Sequence, residues 1–299
     1  MFFSQFAVLF LLLLFFCWSL FLLVSPVKKK KLDLESSLFL LMIAPEILLT
    51  LILLLFSLGE AVLGLVMGVN LISFLLIPGL VAVFRGQVKI KVKNLRLDFL
   101  AVFLITSLPL IFLKNFQLSS NEGLVLLLVA AFLFGWRWKL PILLYKKITE
   151  RRFSWRWNWQ FFLGSCLAVI FFLLSLLTLF SLPLKINLSL FALGLLPFAL
   201  MVSLPEILIN LQLTENKPLV FLDGLLVPLV FNTTFILGLT AFLSPFKVAN
   251  LTGYLRAVIL FLIGFALFYF FAWSKKRIDR IEGIVLVLYF FLSLVMIVW

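Results

Sequence analysis

The chain has 299 residues, 65% of them apolar and only 12% charged, which leaves too little polar surface to cover a water-soluble globule of this length. The net charge of +13 raises nucleic acid as a partner, but the basic residues fall in short loops between apolar runs and form no basic face, so no nucleic acid is expected. Histidine is absent, which excludes imidazole metal sites and histidine proton relays.

A membrane-spanning helix needs ~20 consecutive apolar residues to cross ~30 Å of hydrocarbon. In chain order the sequence predicts ten such spans, at 3–25, 36–58, 60–84, 97–113, 122–136, 160–183, 187–212, 218–244, 252–273 and 282–299. The first lacks the basic start and small-residue cleavage site of a signal peptide, and Lys28 to Lys31 follow it at once, so it reads as an uncleaved helix. Cys17 and Cys166 lie inside apolar runs, where inert packing is the expected role. Trp136, Trp138, Trp155, Trp157, Trp159 and Trp273 fall at span ends, the depth that suits amphipathic rings. No soluble domain is left over.

The loops after spans one, three, five, seven and nine hold 21 of the 25 Lys and Arg residues. Such segregation into alternate loops places those loops in the cytoplasm and both termini outside it.

The second half reproduces the first at an offset of 159 to 160 residues. Ala44-Pro45-Glu46-Ile47-Leu48-Leu49 matches Leu204-Pro205-Glu206-Ile207-Leu208-Ile209, Gly79 matches Gly238, and Glu122-Gly123-Leu124 matches Glu282-Gly283-Ile284. Five spans per repeat is an odd number, so the two halves cross the membrane in opposite senses. The expected fold is all-α: a polytopic membrane protein of ten transmembrane helices in two inverted five-helix repeats, 1–150 and 151–299. Inverted repeats place a binding site near the midplane, where discontinuous helices meet.

Glu46 lies mid-span in helix two, and Glu206 is its mate in helix seven. An ionised side chain at the bilayer centre costs ~2.5–3.5 kcal/mol on insertion scales, so one retained there faces a cavity or a partner. Each glutamate follows a proline, which removes one intrahelical hydrogen bond and frees the carbonyl four residues back, that of Leu41 or Met201. Paired carboxylates beside freed backbone oxygens are what a hard cation such as Ca²⁺ prefers. A single Pro-Glu pair would read as a kinked helix with a snorkelling acid; the repeated pair favours a cation site. Helices three and eight are expected to line it with Gly64, Gly68, Asn70 and Ser73, and with Asp223, Gly224, Asn232, Thr233 and Thr234. Ser73 and Asn232 occupy equivalent positions, and small residues let helices approach closely.

These residues resemble the calcium/cation antiporter family, the membrane exchangers that move Ca²⁺ against Na⁺, H⁺ or K⁺. The resemblance rests on both Pro-Glu pairs, on Gly64-Leu65-Val66-Met67-Gly68-Val69-Asn70-Leu71-Ile72-Ser73 and on Arg280-Ile281-Glu282-Gly283, and it runs over nearly the whole chain. It implies that Glu46 and Glu206 are central cation ligands, that Ser203 is the retained motif serine of the second repeat, and that Asn232 and Ser73 stand where the family places polar ligands. Other hydroxyl positions are apolar here: Met42 and Ile43 precede Pro45, Val202 precedes Ser203, and Val69 and Pro228 replace serines.

The expected function is secondary antiport of a cation, Ca²⁺ exchanged for Na⁺ or H⁺, by alternating access around Glu46 and Glu206. No enzyme activity and no cofactor are expected, the partners being inorganic cations and the lipid bilayer. Two alternatives are a ten-helix carrier of small organic metabolites and a divergent exchanger that has lost transport. The basic loop from Arg137 to Arg156 reads as a cytoplasmic loop beside anionic lipid. Short loops point to a prokaryotic inner membrane.

Overall fold

A computed structural model of the chain describes residues 34–90, 95–136, 170, 174, 189–213, 218–249 and 251–298. Nearly all of them belong to one compact unit, Met42–Leu133 with Ser189–Trp299; of the second, Met1–Leu41 with Phe134–Leu188, only helix ends and two isolated residues are described. The expected spans one and six, Cys17, Cys166, the basic loop from Arg137 to Arg156 and the boundary between the two repeats lie outside the described residues.

Eight helices occupy the described residues. Helix α1 is Leu34–Leu55 and α2 is Gly59–Arg85, followed by strand β1, Gln87–Lys89. Next come α3, Leu95–Phe112, β2, Gln117–Leu118, and α4, Ser120–Trp136. The second half supplies α5 at 190–213, α6 at 218–243, β3, Phe246–Lys247, α7, Leu251–Ser274, β4, Arg277–Asp279, and α8, Arg280–Val298. They coincide with the expected spans two to five and seven to ten to within a few residues.

The apolar runs form helices because lipid offers no partner to a backbone N–H or C=O, so each segment must satisfy its own. Segments within α2, α5, α6, α7 and α8 are long and apolar enough to cross a membrane. Along its most apolar stretch α2 is 89% buried and α8 only 28%. The former is therefore the core of the unit and the latter a helix that turns Phe291, Leu292 and Val295 outward.

The two halves repeat each other in detail. Strand β1 pairs antiparallel with β4, Val88 opposite Ile278, and β2 pairs antiparallel with β3, Leu118 opposite Phe246. Phe116 and Lys276 both adopt positive φ, 56° and 53°. Three residues after Phe116 the Ser119 N–H donates to Glu122 at the start of α4 at 2.8 Å, and three after Lys276 the Asp279 N–H donates to Glu282 at the start of α8 at 2.8 Å. Each acid satisfies a donor that the helix start leaves open. A Cβ at Gly79 would lie 2.9 Å from the Gly283 carbonyl oxygen, and one at Gly238 3.2 Å from that of Gly123. The same glycine contact thus joins α2 to α8 and α6 to α4.

Two features were not expected. The strand pairs are too short to show an alternating pattern. Helices α2, α5 and α6 each contain a π-helical turn, Ile72–Leu76, Gly194–Phe198 and Asn232–Ile236; such turns insert a residue into the helix and re-aim its side chains.

Candidate functional site

Pro45 and Pro205 lie inside α1 and α5, each followed by its glutamate. Both glutamates are buried, Glu46 at 2% and Glu206 at 1% exposure. Glu206 is thus as fully enclosed by the protein as its repeat mate.

Glycine brings the partner helices in. A Cβ at Gly64 would meet the Phe191 carbonyl oxygen, one at Gly68 that of Leu195, and one at Gly194 that of Ala61. Backbone therefore touches backbone where α2 crosses α5, as small residues allow. The π turn of α2 then carries Ser73 to Glu206: its Oγ lies 3.0 Å from Oε1 and 3.1 Å from Oε2, so the hydroxyl donates to the carboxylate between its oxygens. On the other side, the π turn of α6 carries Asn232, whose amide faces Glu46, and the Glu206 carboxyl lies within electrostatic reach of Glu46. Each glutamate is thus faced by a polar side chain from the bent helix of the opposite half.

The two arms differ. Ser73 occupies Glu206, whereas Glu46 Oε2 and both amide atoms of Asn232 have no hydrogen-bond partner of ordinary geometry, and neither has the Ser203 hydroxyl. Ser203 is fully buried one turn before Glu206, on the same face of α5. Buried polar atoms are nearly always paired, so these unmet groups set this cluster apart from the apolar packing around it. All five expected site residues are buried; Ser73 and Glu206 are in direct contact, and Glu46 faces Asn232.

Several polar residues here were not singled out as ligands from the sequence. Thr50 and Asn210 sit one turn beyond Glu46 and Glu206 and are 2% exposed. The Thr50 hydroxyl is unpartnered, while Asn210 Nδ2 donates to the Glu206 backbone carbonyl at 2.9 Å. A polar residue four positions after each acid was the available signal. Asn70 on α2 donates to Thr233 on α6 at 2.9 Å. Asp223 and Gly224 fall within α6, and the Asp223 side chain lies outside what is described. Among the described residues no group of three His, Cys, Asp or Glu side chains converges.

A membrane-length helical bundle whose halves repeat each other, with kinked helices meeting around buried acids, has the architecture of an inverted-repeat membrane transporter. Solved structures share it. The chain is similar to the sodium-calcium exchanger NCX_Mj soaked with 2.5 mM Na⁺ and 0.1 mM Ca²⁺, at a TM-score of 0.61 and 18% identity over 96% of each chain. It is similar also to NCX_Mj at 10 mM Na⁺ and zero Ca²⁺, at 0.62 and 18% over 98% of this chain and 97% of that one, and to native YfkE at 0.61 and 12% over 96% and 88%. Residues 159–299 match the model of the sodium/calcium exchanger protein family. The resemblance to the calcium/cation antiporters is borne out: the second half of the chain matches the exchanger family's model, and nearly the whole chain shares the fold of the solved exchangers. Among curated protein sequences none matches.

Proposed function

We propose that the chain is a secondary antiporter exchanging a divalent cation, Ca²⁺, for H⁺ or Na⁺, with Glu46 and Glu206 alternately exposed to the two sides of a prokaryotic inner membrane and both termini outside the cytoplasm. One observation carries this: two glutamates from proline-kinked helices are buried within electrostatic reach of each other. Among the described residues neither has a basic partner.

A buried ion costs several kcal/mol unless it is compensated. A divalent cation between the two carboxylates neutralises both charges at once, and Asn232, Ser203, Ser73 and the carbonyls released by Pro45 and Pro205 contribute the neutral oxygens of a Ca²⁺ shell. When that ion leaves, protons or a monovalent cation must replace it before the acids can be buried again. This obligatory replacement is the coupling of antiport. Met42, Ile43, Val69, Val202 and Pro228 provide no hydroxyls for flanking Na⁺ sites, which favours H⁺ as the counter-ion.

Counterflow of Ca²⁺ in proteoliposomes tests the assignment, with Glu46→Gln and Glu206→Gln as variants. Both variants are expected to abolish exchange; undiminished flux in either sinks it. The same apolar positions support a second reading, a relative that binds a cation without moving it, for which Ca²⁺ would raise the melting temperature while no counterflow is seen.

A further inference from the structure

Helices α2, α3, α6 and α7 line a partly open cavity of about 20 Å³ whose wall includes Leu63, Met67, Phe261 and three polar side chains, Asn70, Thr106 and Thr233. A single water needs ~10–15 Å³. There is room for one.

The hydrogen-bonding capacity left over in this wall is all of one kind. The Thr233 hydroxyl donates to the Leu229 carbonyl at 2.7 Å, so its oxygen can only accept from Asn70. This fixes the Asn70 amide with Nδ2 towards Thr233; the flipped orientation would set oxygen against oxygen. Oδ1 is then an acceptor without a partner, on a residue 3% exposed. The Thr106 hydroxyl spends its proton on the Val102 carbonyl at 2.8 Å, leaving lone pairs. Pro109, also in the wall, has no N–H to give. An occupant must therefore donate twice. A metal ion would meet two or three oxygens amid hydrocarbon, far short of the shell of six to eight that Ca²⁺ takes.

We propose that this cavity is a hydration site, in which one water donates to Asn70 Oδ1 and Thr106 Oγ1 and so ties α3 to the contact between α2 and α6. Thr233 directly follows Asn232 in the π turn of α6. By holding Thr233, the hydrated Asn70 fixes the turn that presents Asn232 to Glu46, which makes Asn70 a positioning residue. That second step rests on the carboxylate site proposed above; the water itself does not.

The test is a thermal double-mutant cycle on the full chain in detergent, using Asn70→Leu, Thr106→Val and the double variant. Asn70 Oδ1 and Thr106 are not directly bonded, so a bridging molecule couples them, and the serine and Thr240 controls separate this from repacking of the shared cavity. The double variant is expected to melt no lower than the weaker of the two single variants. Thr106→Val should also lose more than Thr240→Val, which removes the same back-bond, to the Ile236 carbonyl, away from the cavity; Thr106→Ser should restore the loss. Additive losses, or equal losses in the two threonine variants, overturn the water. For the positioning step, half-saturation by Ca²⁺ is read in Asn70→Leu and Thr106→Val. Both are expected to require several-fold more Ca²⁺, with Thr106→Ser restored to normal; unchanged half-saturation, with Glu46→Gln and Glu206→Gln inactive, overturns positioning alone. Active glutamate variants would instead sink the carboxylate assignment and leave the thermal cycle to be judged by itself.

Discussion

Ser73 on α2 donates to the Glu206 carboxylate on α5, 133 residues away in sequence. It reaches that partner because glycine lets the two helix backbones touch and because a π turn rotates the serine towards the crossing. Ser73→Ala removes the only hydrogen bond found for this carboxylate among the described residues. A lost buried hydrogen bond of this kind costs ~1–3 kcal/mol. Thermal unfolding in detergent is expected to show that loss, and Ser73→Thr should recover most of it.

Asn232 faces Glu46 with both amide atoms unmatched. Replacing the amide by a carboxylate adds a third negative charge beside the proposed ion, and Ca²⁺ affinity rises with the number of charged ligands. Asn232→Asp is expected to tighten Ca²⁺ binding and Asn232→Leu to weaken it, both measured by titration of the purified protein. Opposite signs would show that Asn232 does not face the ion.

The crossing of α2 with α5 tolerates no side chain. A Cβ at Gly64 or Gly194 runs into backbone of the opposite helix, which cannot move aside as a flexible side chain does. Overpacking of this kind costs ~1–3 kcal/mol or more, so Gly64→Ala and Gly194→Ala are each expected to lower the melting temperature markedly. Gly86 is the contrast: nothing lies within 4 Å of its Cβ position, but its φ of +81° favours glycine. Gly86→Ala should cost ~1 kcal/mol from backbone strain alone. Melting curves of the three variants separate the two causes.

At the mouth of α8, the hydrogen bond from Lys275, at 2.9 Å, and the nearby Arg277 hold the Asp279 carboxyl below the ordinary aspartate range. The native value being the lower one, any stabilisation is present above the unfolded value of ~3.9 and is lost as pH falls through the native one. Lys275 and Arg277 are exposed and Asp279 half-buried, so the cluster is open to screening by salt. Asp279→Asn is accordingly expected to melt like the parent at neutral pH in high salt, with any difference appearing only at low ionic strength.

The helices were legible because lipid forces apolar runs of a set length, and α1 to α8 fall on eight of the ten expected spans. Spans one and six, and with them the full count, lie outside the described residues. Glu46 and Glu206 stood out because a proline and an acid recur at one offset, a pattern that Leu-rich sequence does not produce by chance. The partnership of Ser73 with Glu206 was not legible, since it depends on how two helices cross and on a π turn that leaves no local pattern. Thr50 was hidden, and the partner of Asn70 with it, for a related reason: a single polar residue in an apolar helix shows that it must be satisfied, not by what. The strands were missed because segments of two or three residues carry no period.

The pairing of β1 with β4 sets an order of assembly. Gln87 lies opposite Asp279, so the end of α2 waits for a stretch of chain made almost two hundred residues later. Closing so long a loop is slow and entropically costly compared with forming a single helix. Translation therefore delivers inserted helices before the clasp that fastens them, and a chain cut short before residue 277 leaves the ribosome with that clasp permanently open.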